Sequence, residues 1–150
     1  MKEQVRKAAQ QAFKDHLSYL SAGKIKAWVD LFTEDGVLTF PYGPDNFPQR
    51  VEGKTALFEY MKNFPKHFEV EFKSLHFHLT EDPNLVIAEF ESDGKAISTG
   101  KPYLQKYISV VKTTDKGKIL SYVDFWNPLI ALESLGVNIK GEELAEQFLD

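Results

Sequence analysis

The stretch FEVEFKSLHFHL, Phe68 to Leu79, decides the fold. Phe68, Val70 and Phe72 alternate on one parity, whereas Leu75, Phe77 and Leu79 alternate on the other. A regular strand sends successive side chains to opposite faces, so a switch of parity would carry half the apolar set away from the core. One extra residue near Lys73-Ser74 repairs the pattern. The sequence therefore predicts a β-bulge there, and a bulge bends the sheet.

The segments around it supply a bent sheet and the helices to cover it. Downstream, Glu81-Asp82-Pro83-Asn84 reads as a turn, followed by strands over Leu85–Ser92, Tyr103–Val111 and Ile119–Trp126. Gly94 and Gly100 read as hairpin glycines and Asp115-Lys116-Gly117 as a turn. Asn127-Pro128 has the form of an N-cap with proline at the first helical position, and Gly136 closes that helix. The residues after it, Glu142 to Leu149, have the composition of one or two more helical turns. Upstream, Val5, Ala9, Ala12, Phe13, His16, Leu17 and Leu20 recur at three- and four-residue spacing and form one helical face ending at Gly23. Ile25, Trp28, Val29 and Phe32 form a shorter stripe. Asp35-Gly36 turns into a short strand, Val37–Phe40. Three prolines make 41–49 a loop, and a third helix spans Lys54 to Asn63. The expected architecture is one α+β domain over 1–150: three N-terminal helices and a short C-terminal helix around a curved, largely antiparallel sheet. Such a sheet leaves a cone, and its apolar walls make it a candidate small-molecule pocket.

Composition narrows the chemistry. The 150 residues carry 18 basic and 22 acidic side chains, a formal charge of -4 that disfavours a grip on nucleic acid. Only Arg6 and Arg50 can offer a planar two-pronged contact. The absence of cysteine removes thiol nucleophiles, disulfides and thiolate metal sites. No apolar run approaches the roughly 20 residues of a membrane span, and Met1–Ala12 does not read as a secretory leader. A soluble, cytoplasmic protein is expected. Twelve Phe, six Tyr and two Trp are a generous aromatic supply for that cone; Phe13, Trp28, Phe32, Phe40, Tyr42, Tyr107 and Trp126 are assigned to its walls.

His16 to Gly43 (HLSYLSAGKIKAWVDLFTEDGVLTFPYG) resembles the opening of the nuclear transport factor 2-like superfamily, which includes ketosteroid isomerase-like and SnoaL-like proteins. Val51 to Leu57 (VEGKTAL) is similar to the start of that superfamily's third helix. Thr80 to Pro83 (TEDP), Gly100 to Ile108 (GKPYLQKYI) and Asp124 to Pro128 (DFWNP) resemble most closely its phenazine-biosynthesis A/B branch. The resemblance implies the cone-shaped fold. It also implies a pocket in which isomerisation, cyclisation or condensation is carried out by acid/base groups.

Site residues follow from both sources. Alternation puts Leu120, Tyr122, Asp124 and Trp126 on one face of the last strand. By resemblance to the isomerases, the residue at Trp126 lines the pocket, which turns Asp124 inward. The phenazine branch uses a carboxylate at that position. A carboxylate among aromatic rings is pushed toward neutral pKa, which suits proton transfer; the other reading is a structural Asp bonded to a Tyr hydroxyl or loop amides. His16 stands where the isomerases place an oxyanion-stabilising Tyr, and it reads equally as a core histidine satisfied by its neighbours. Tyr107 and Ser109 face the pocket by the same resemblance, either orienting a ligand or making a cross-strand hydrogen bond. Two isomerase carboxylates are missing: their positions hold Phe40 and Ser109. The Asp–Arg–Asp set of limonene epoxide hydrolases would have only Arg6 and Arg50 to draw on, which disfavours that chemistry. His76 and His78 share one side of a strand without a third ligand, so no metal site is assigned. Glu89 and Glu91 are expected to pair with Lys106 or Lys95.

The resulting expectation is a cofactor-independent enzyme that binds a small hydrophobic or cyclic carbonyl metabolite. Asp124 and His16 would be the catalytic pair, and Phe40, Tyr42, Tyr107, Ser109, Tyr122, Trp126 and Trp28 would contact the ligand. A non-catalytic binding protein of the same fold is the alternative. Apolar residues on both parities of the long strands point to a homodimer.

Overall fold

A computed structural model describes residues 1–137; Glu142–Leu149 lies outside the described residues. The chain runs α1 (Lys2–Ala22), α2 (Ile25–Val29), β1 (Phe32–Thr39), β2 (Arg50–Glu52), α3 (Lys54–Met61), α4 (Phe64–His67), β3 (Phe68–His78), β4 (Leu85–Ala96), β5 (Lys106–Thr113), β6 (Ile119–Trp126) and α5 (Pro128–Ser134). The six strands form one curved, unclosed sheet in the order β2-β1-β6-β5-β4-β3. Only β1 and β6 run parallel; every other neighbouring pair is antiparallel. This is the expected α+β architecture. Among the described residues no helix is long and apolar enough to cross a membrane.

The bulge in β3 falls where the parity switch places it. Pairing with β4 shifts between Lys73 and His76, and Ser74 sits at φ 59°, the left-handed region. Below the shift Val70 is buried, and beyond it Leu75 and Phe77 pack against the core. α1 lays Ala9, Ala12, Phe13, His16, Leu17 and Leu20 into the hollow side. Asn127 caps α5 by accepting a hydrogen bond from the Leu129 N–H at 3.0 Å, with Pro128 opening the helix.

Several boundaries differ from the sequence expectation. Phe32 begins β1 instead of closing a helix, and Asp35-Gly36 lies inside that strand, where the pairing with β6 is irregular. The third helix stops at Met61, and Pro65 opens the separate short helix α4. β4 runs on through Gly94 to Ala96, so Gly94 is a strand residue and not a hairpin glycine. It faces the β3 backbone so closely that a Cβ would stand 1.9 Å from the Glu69 carbonyl oxygen. β5 starts at Lys106, three residues later than read, because Pro102 holds the lead-in to a single bridge with Lys95.

Candidate functional site

The hollow side of the sheet encloses a cavity of about 230 Å³. Its walls come from α1 to α4, the 41–49 loop, β1 and the inward faces of β3 to β6, with α5 across one side. Tyr122, Asp124 and Trp126 line it from β6, because alternate residues of a strand share a face. Across the β5–β6 ladder Tyr107 stands opposite Trp126 and Ser109 opposite Asp124. Phe40, Tyr107, Trp28 and His16 line the cavity as well.

Leu120 does not share this face. The β5–β6 pairing shifts between Lys112 and Thr113, which leaves Leu120 as an extra residue, 42% exposed. Tyr42 also departs from its expected place. It is 63% exposed and packs on Phe125, at 5.4 Å between ring centroids, on the outer side of the sheet. Pro41 opens a turn just past the end of β1, and Tyr42 leaves that turn on the Phe125 side. Phe47, from the same loop, takes the inner position instead, edge-on to Trp126. Ser109 is fully buried behind the wall, held by Tyr122 and Asp124, and is not among the lining residues. Phe13 and Phe32 are core residues, packed against His16 and Trp28 respectively.

Two tyrosines that sequence reasoning did not assign line the cavity: Tyr60 from α3 and Tyr103 from the lead-in to β5. Tyr60 lies four residues before Phe64, and that aromatic spacing was the available signal. Phe72 and Phe90 complete the inner surface, and Phe90 stacks on Tyr107 with centroids 4.6 Å apart and planes within 8°. The Tyr107 hydroxyl lies 3.1 Å from Ser92 Oγ.

The electrostatics follow from this enclosure. Burial raises the Asp124 carboxyl from 3.8 to about 7, with the hydrogen bond from Ser109 pulling the other way. Burial also lowers the His16 imidazole to about 3, so the ring is neutral. Tyr60, Tyr103, Tyr107 and Tyr122 are all pushed above the ordinary phenol range, first by burial and further by the Asp124 charge, so they remain hydrogen-bond donors. Among the described residues, no lysine or arginine lines the cavity.

His16 has both ring nitrogens engaged. The Trp28 indole N–H donates to Nδ1 at 2.7 Å, and Nε2 lies 2.9 Å from the Tyr122 hydroxyl. On the outer side, Glu89 pairs with His78 and not with a lysine, because β3 brings the imidazole opposite that edge of β4. Glu91 is in register with Lys106.

A model of the SnoaL-like domain matches residues 13–122, so Asp124 and Trp126 lie just past the matched span. An uncharacterised PhzA/B-like protein of Pseudomonas aeruginosa is 47% identical over 120 residues, covering 80% of this chain and 84% of that protein. A solved Bacillus subtilis structure named "Putative Isomerase" is 40% identical, with a TM-score of 0.84 over 89% of this chain and 96% of that one. The epoxide hydrolase/cyclase-like enzyme SalBIII, of pyran ring formation in the polyether salinomycin, is 26% identical with a TM-score of 0.66. That match covers 85% of this chain and 95% of SalBIII.

Proposed function

The chain belongs to the SnoaL-like domain family, and from that premise we propose an isomerase or cyclase that moves a proton on a small cyclic carbonyl compound. The observation that carries the proposal is Asp124: a carboxylate on the wall of an aromatic cavity, raised to about 7 by burial. A base of that strength is half-ionised near neutral pH and can both take and return a proton. The neutral hydroxyls of Tyr60, Tyr103 and Tyr107 line the same space and suit the negative charge that grows on a carbonyl oxygen as its α-proton leaves. Gln105 Nε2 donates to the Tyr103 hydroxyl oxygen at 3.5 Å, which leaves the Tyr103 proton for an acceptor in the cavity. His16 lies on the cavity wall with both ring nitrogens engaged, and assists by holding the Tyr122 hydroxyl. The cavity volume favours a compact substrate, since sites for drug-sized ligands run to roughly 300–1,000 Å³.

Names among the relatives support the same reading: one is called an isomerase, and another a cyclase-like enzyme. The test is solvent deuterium incorporation into a panel of cyclic ketones and enones in D2O, followed by NMR. Wild-type protein is expected to catalyse exchange or conversion of at least one member, and Asp124→Asn to lose about 10²- to 10⁴-fold of the rate. Full turnover by a folded Asp124→Asn protein would sink the assignment.

One observation favours a second reading, a non-catalytic binding protein. By the resemblance to ketosteroid isomerases, Phe40 stands at the position of their base and Ser109 at that of their second carboxylic acid. Saturable binding of a panel member with no exchange at any pH would support this reading over the first.

A further inference from the structure

Five side chains from four elements form one unbranched hydrogen-bonded run. Trp28 of α2 reaches His16 of α1 at 2.7 Å, and His16 reaches Tyr122 of β6 at 2.9 Å. Tyr122 reaches Ser109 of β5 at 2.7 Å, and Ser109 reaches Oδ1 of Asp124 at 3.4 Å.

The direction of every link follows from the first. An indole nitrogen can only donate, so His16 Nδ1 is bare and accepts. A neutral imidazole with a bare Nδ1 carries its proton on Nε2, which therefore donates to the Tyr122 oxygen. The Tyr122 proton then points to Ser109, and the Ser109 proton points to Asp124. Among the described residues, the hydrogen bond given to this carboxylate falls on Oδ1. Oδ2 is left for a ligand.

We infer that Trp28 and His16 are positioning residues for Asp124: they fix the polarity of this run, so that a donor caps Oδ1 and Oδ2 is the oxygen that exchanges a proton. The inference rests on the proton-transfer reading of Asp124 and adds to it how the carboxylate is kept in its accepting form. Remove the indole donor, and His16 is free to carry its proton on Nδ1. The run can then reverse: Tyr122 donates to Nε2, Ser109 donates to Tyr122, and Asp124 loses its donor. A carboxylate that loses a donor holds its proton to higher pH. The other titratable groups facing Asp124 stay constant in such a comparison. They are Tyr60 of α3, Tyr103 and Tyr107 leading into and on β5, and His67 of α4 on the same cavity wall.

The experiment needs no substrate. Protein labelled with 13C at the Asp carboxyl and 15N in the His ring is titrated by NMR as wild type, Trp28→Phe and Tyr122→Phe. In wild type, His16 is expected to carry its proton on Nε2 from pH 5 to 8. In Trp28→Phe the two tautomers are expected to mix, and the Asp124 midpoint to rise by about one pH unit. Tyr122→Phe leaves the Ser109 proton no partner among the described side chains but Asp124, so this variant is expected to keep the wild-type midpoint; the wild-type His16 tautomer decides the matter alone if Trp28→Phe does not fold. A wild-type His16 protonated on Nδ1, or an unmoved Asp124 midpoint in folded Trp28→Phe, overturns the inference. An unmoved midpoint alongside Asp124-dependent deuterium exchange leaves the proton-transfer reading standing. Exchange that survives Asp124→Asn, alongside a moved midpoint, removes that reading and leaves the run intact.

Discussion

Gln105 and Asn127 exchange two hydrogen bonds across the mouth of the β5–β6 ladder. Gln105 Nε2 donates to the Asn127 carbonyl and Oε1 accepts from the Asn127 N–H, both at 2.9 Å. The side chain thereby takes the place of a strand residue where the ladder has ended. It also fixes the start of α5, whose Ala131 closes one side of the cavity. Gln105 is 1% exposed, and its truncation leaves the Asn127 N–H without this acceptor and the Asn127 carbonyl with only the Ala131 N–H at 3.4 Å. Gln105→Ala is expected to cost about 2–4 kcal/mol, read as a lower urea midpoint with an unchanged slope. A loss below about 0.5 kcal/mol would mean that water replaces the side chain without cost.

Asp124 carries a stability signature that requires no ligand. Its folded pKa of about 7 lies above its ordinary 3.8, so between those values the folded protein binds more protons than the unfolded chain. Stability from this group is therefore greatest below pH 4, falls as pH rises toward 7, and levels off above. The loss reaches at most about 4 kcal/mol. Asp124→Asn has no such loss. It is expected to be more stable than wild type at pH 8, with the difference shrinking as pH drops to 4. Urea unfolding of both proteins at five pH values checks this, and parallel curves would contradict it.

Gly94 and Gly100 separate two reasons for glycine. At Gly94 the obstacle is backbone: an added Cβ would stand 1.9 Å from the Glu69 oxygen and 2.9 Å from the Val70 Cα. At Gly100 nothing lies within 4 Å, but φ is +69°. Gly94→Ala is expected to cost about 3 kcal/mol or more because β3 and β4 must part. Gly100→Ala should cost about 1 kcal/mol, from the left-handed backbone alone. Thermal unfolding of the two variants should keep that order.

The outer face of the sheet carries a groove of about 600 Å³ whose walls include Tyr42, His76, Glu89, Lys106, Ile108 and Phe125. Ile108 is 44% exposed beside Phe125, its register partner. We propose that a second copy of the chain covers this face. Sedimentation at micromolar concentration is expected to give a dimer of the 17.2 kDa chain, and Ile108→Glu, beside Glu89, a monomer. A wild-type monomer would contradict the proposal.

Features set by local pattern were legible in the sequence. The β3 bulge followed from a change of parity, the α5 cap from Asn127-Pro128, and the α1 face from helical spacing. Alternation also placed Tyr122, Asp124 and Trp126 together. It reports a face, however, and not a depth, so Ser109 was given to the cavity surface although Tyr122 stands in front of it. Alternation fails wherever pairing slips, which is why Leu120 was placed inside. Phe47 takes the inner place expected of Tyr42, because a proline loop has no period from which direction can be read. The contributions of Tyr60 and Tyr103 depend on how α3 and the lead-in to β5 fold over the sheet, a tertiary fact that no window of sequence contains. The His16–Trp28 bond joins residues 12 apart on two helices, and only the turn between them brings the ring nitrogen to the indole.

The most direct test of the account is the titration of the Asp124 carboxyl itself, by 13C NMR of the intact protein with Asp124→Asn to assign the signal. A carboxylate held on an aromatic cavity wall should titrate with a midpoint of about 7. A midpoint near 4, the value of a solvated Asp, would mean that water reaches the group freely and that it holds no proton to deliver at neutral pH.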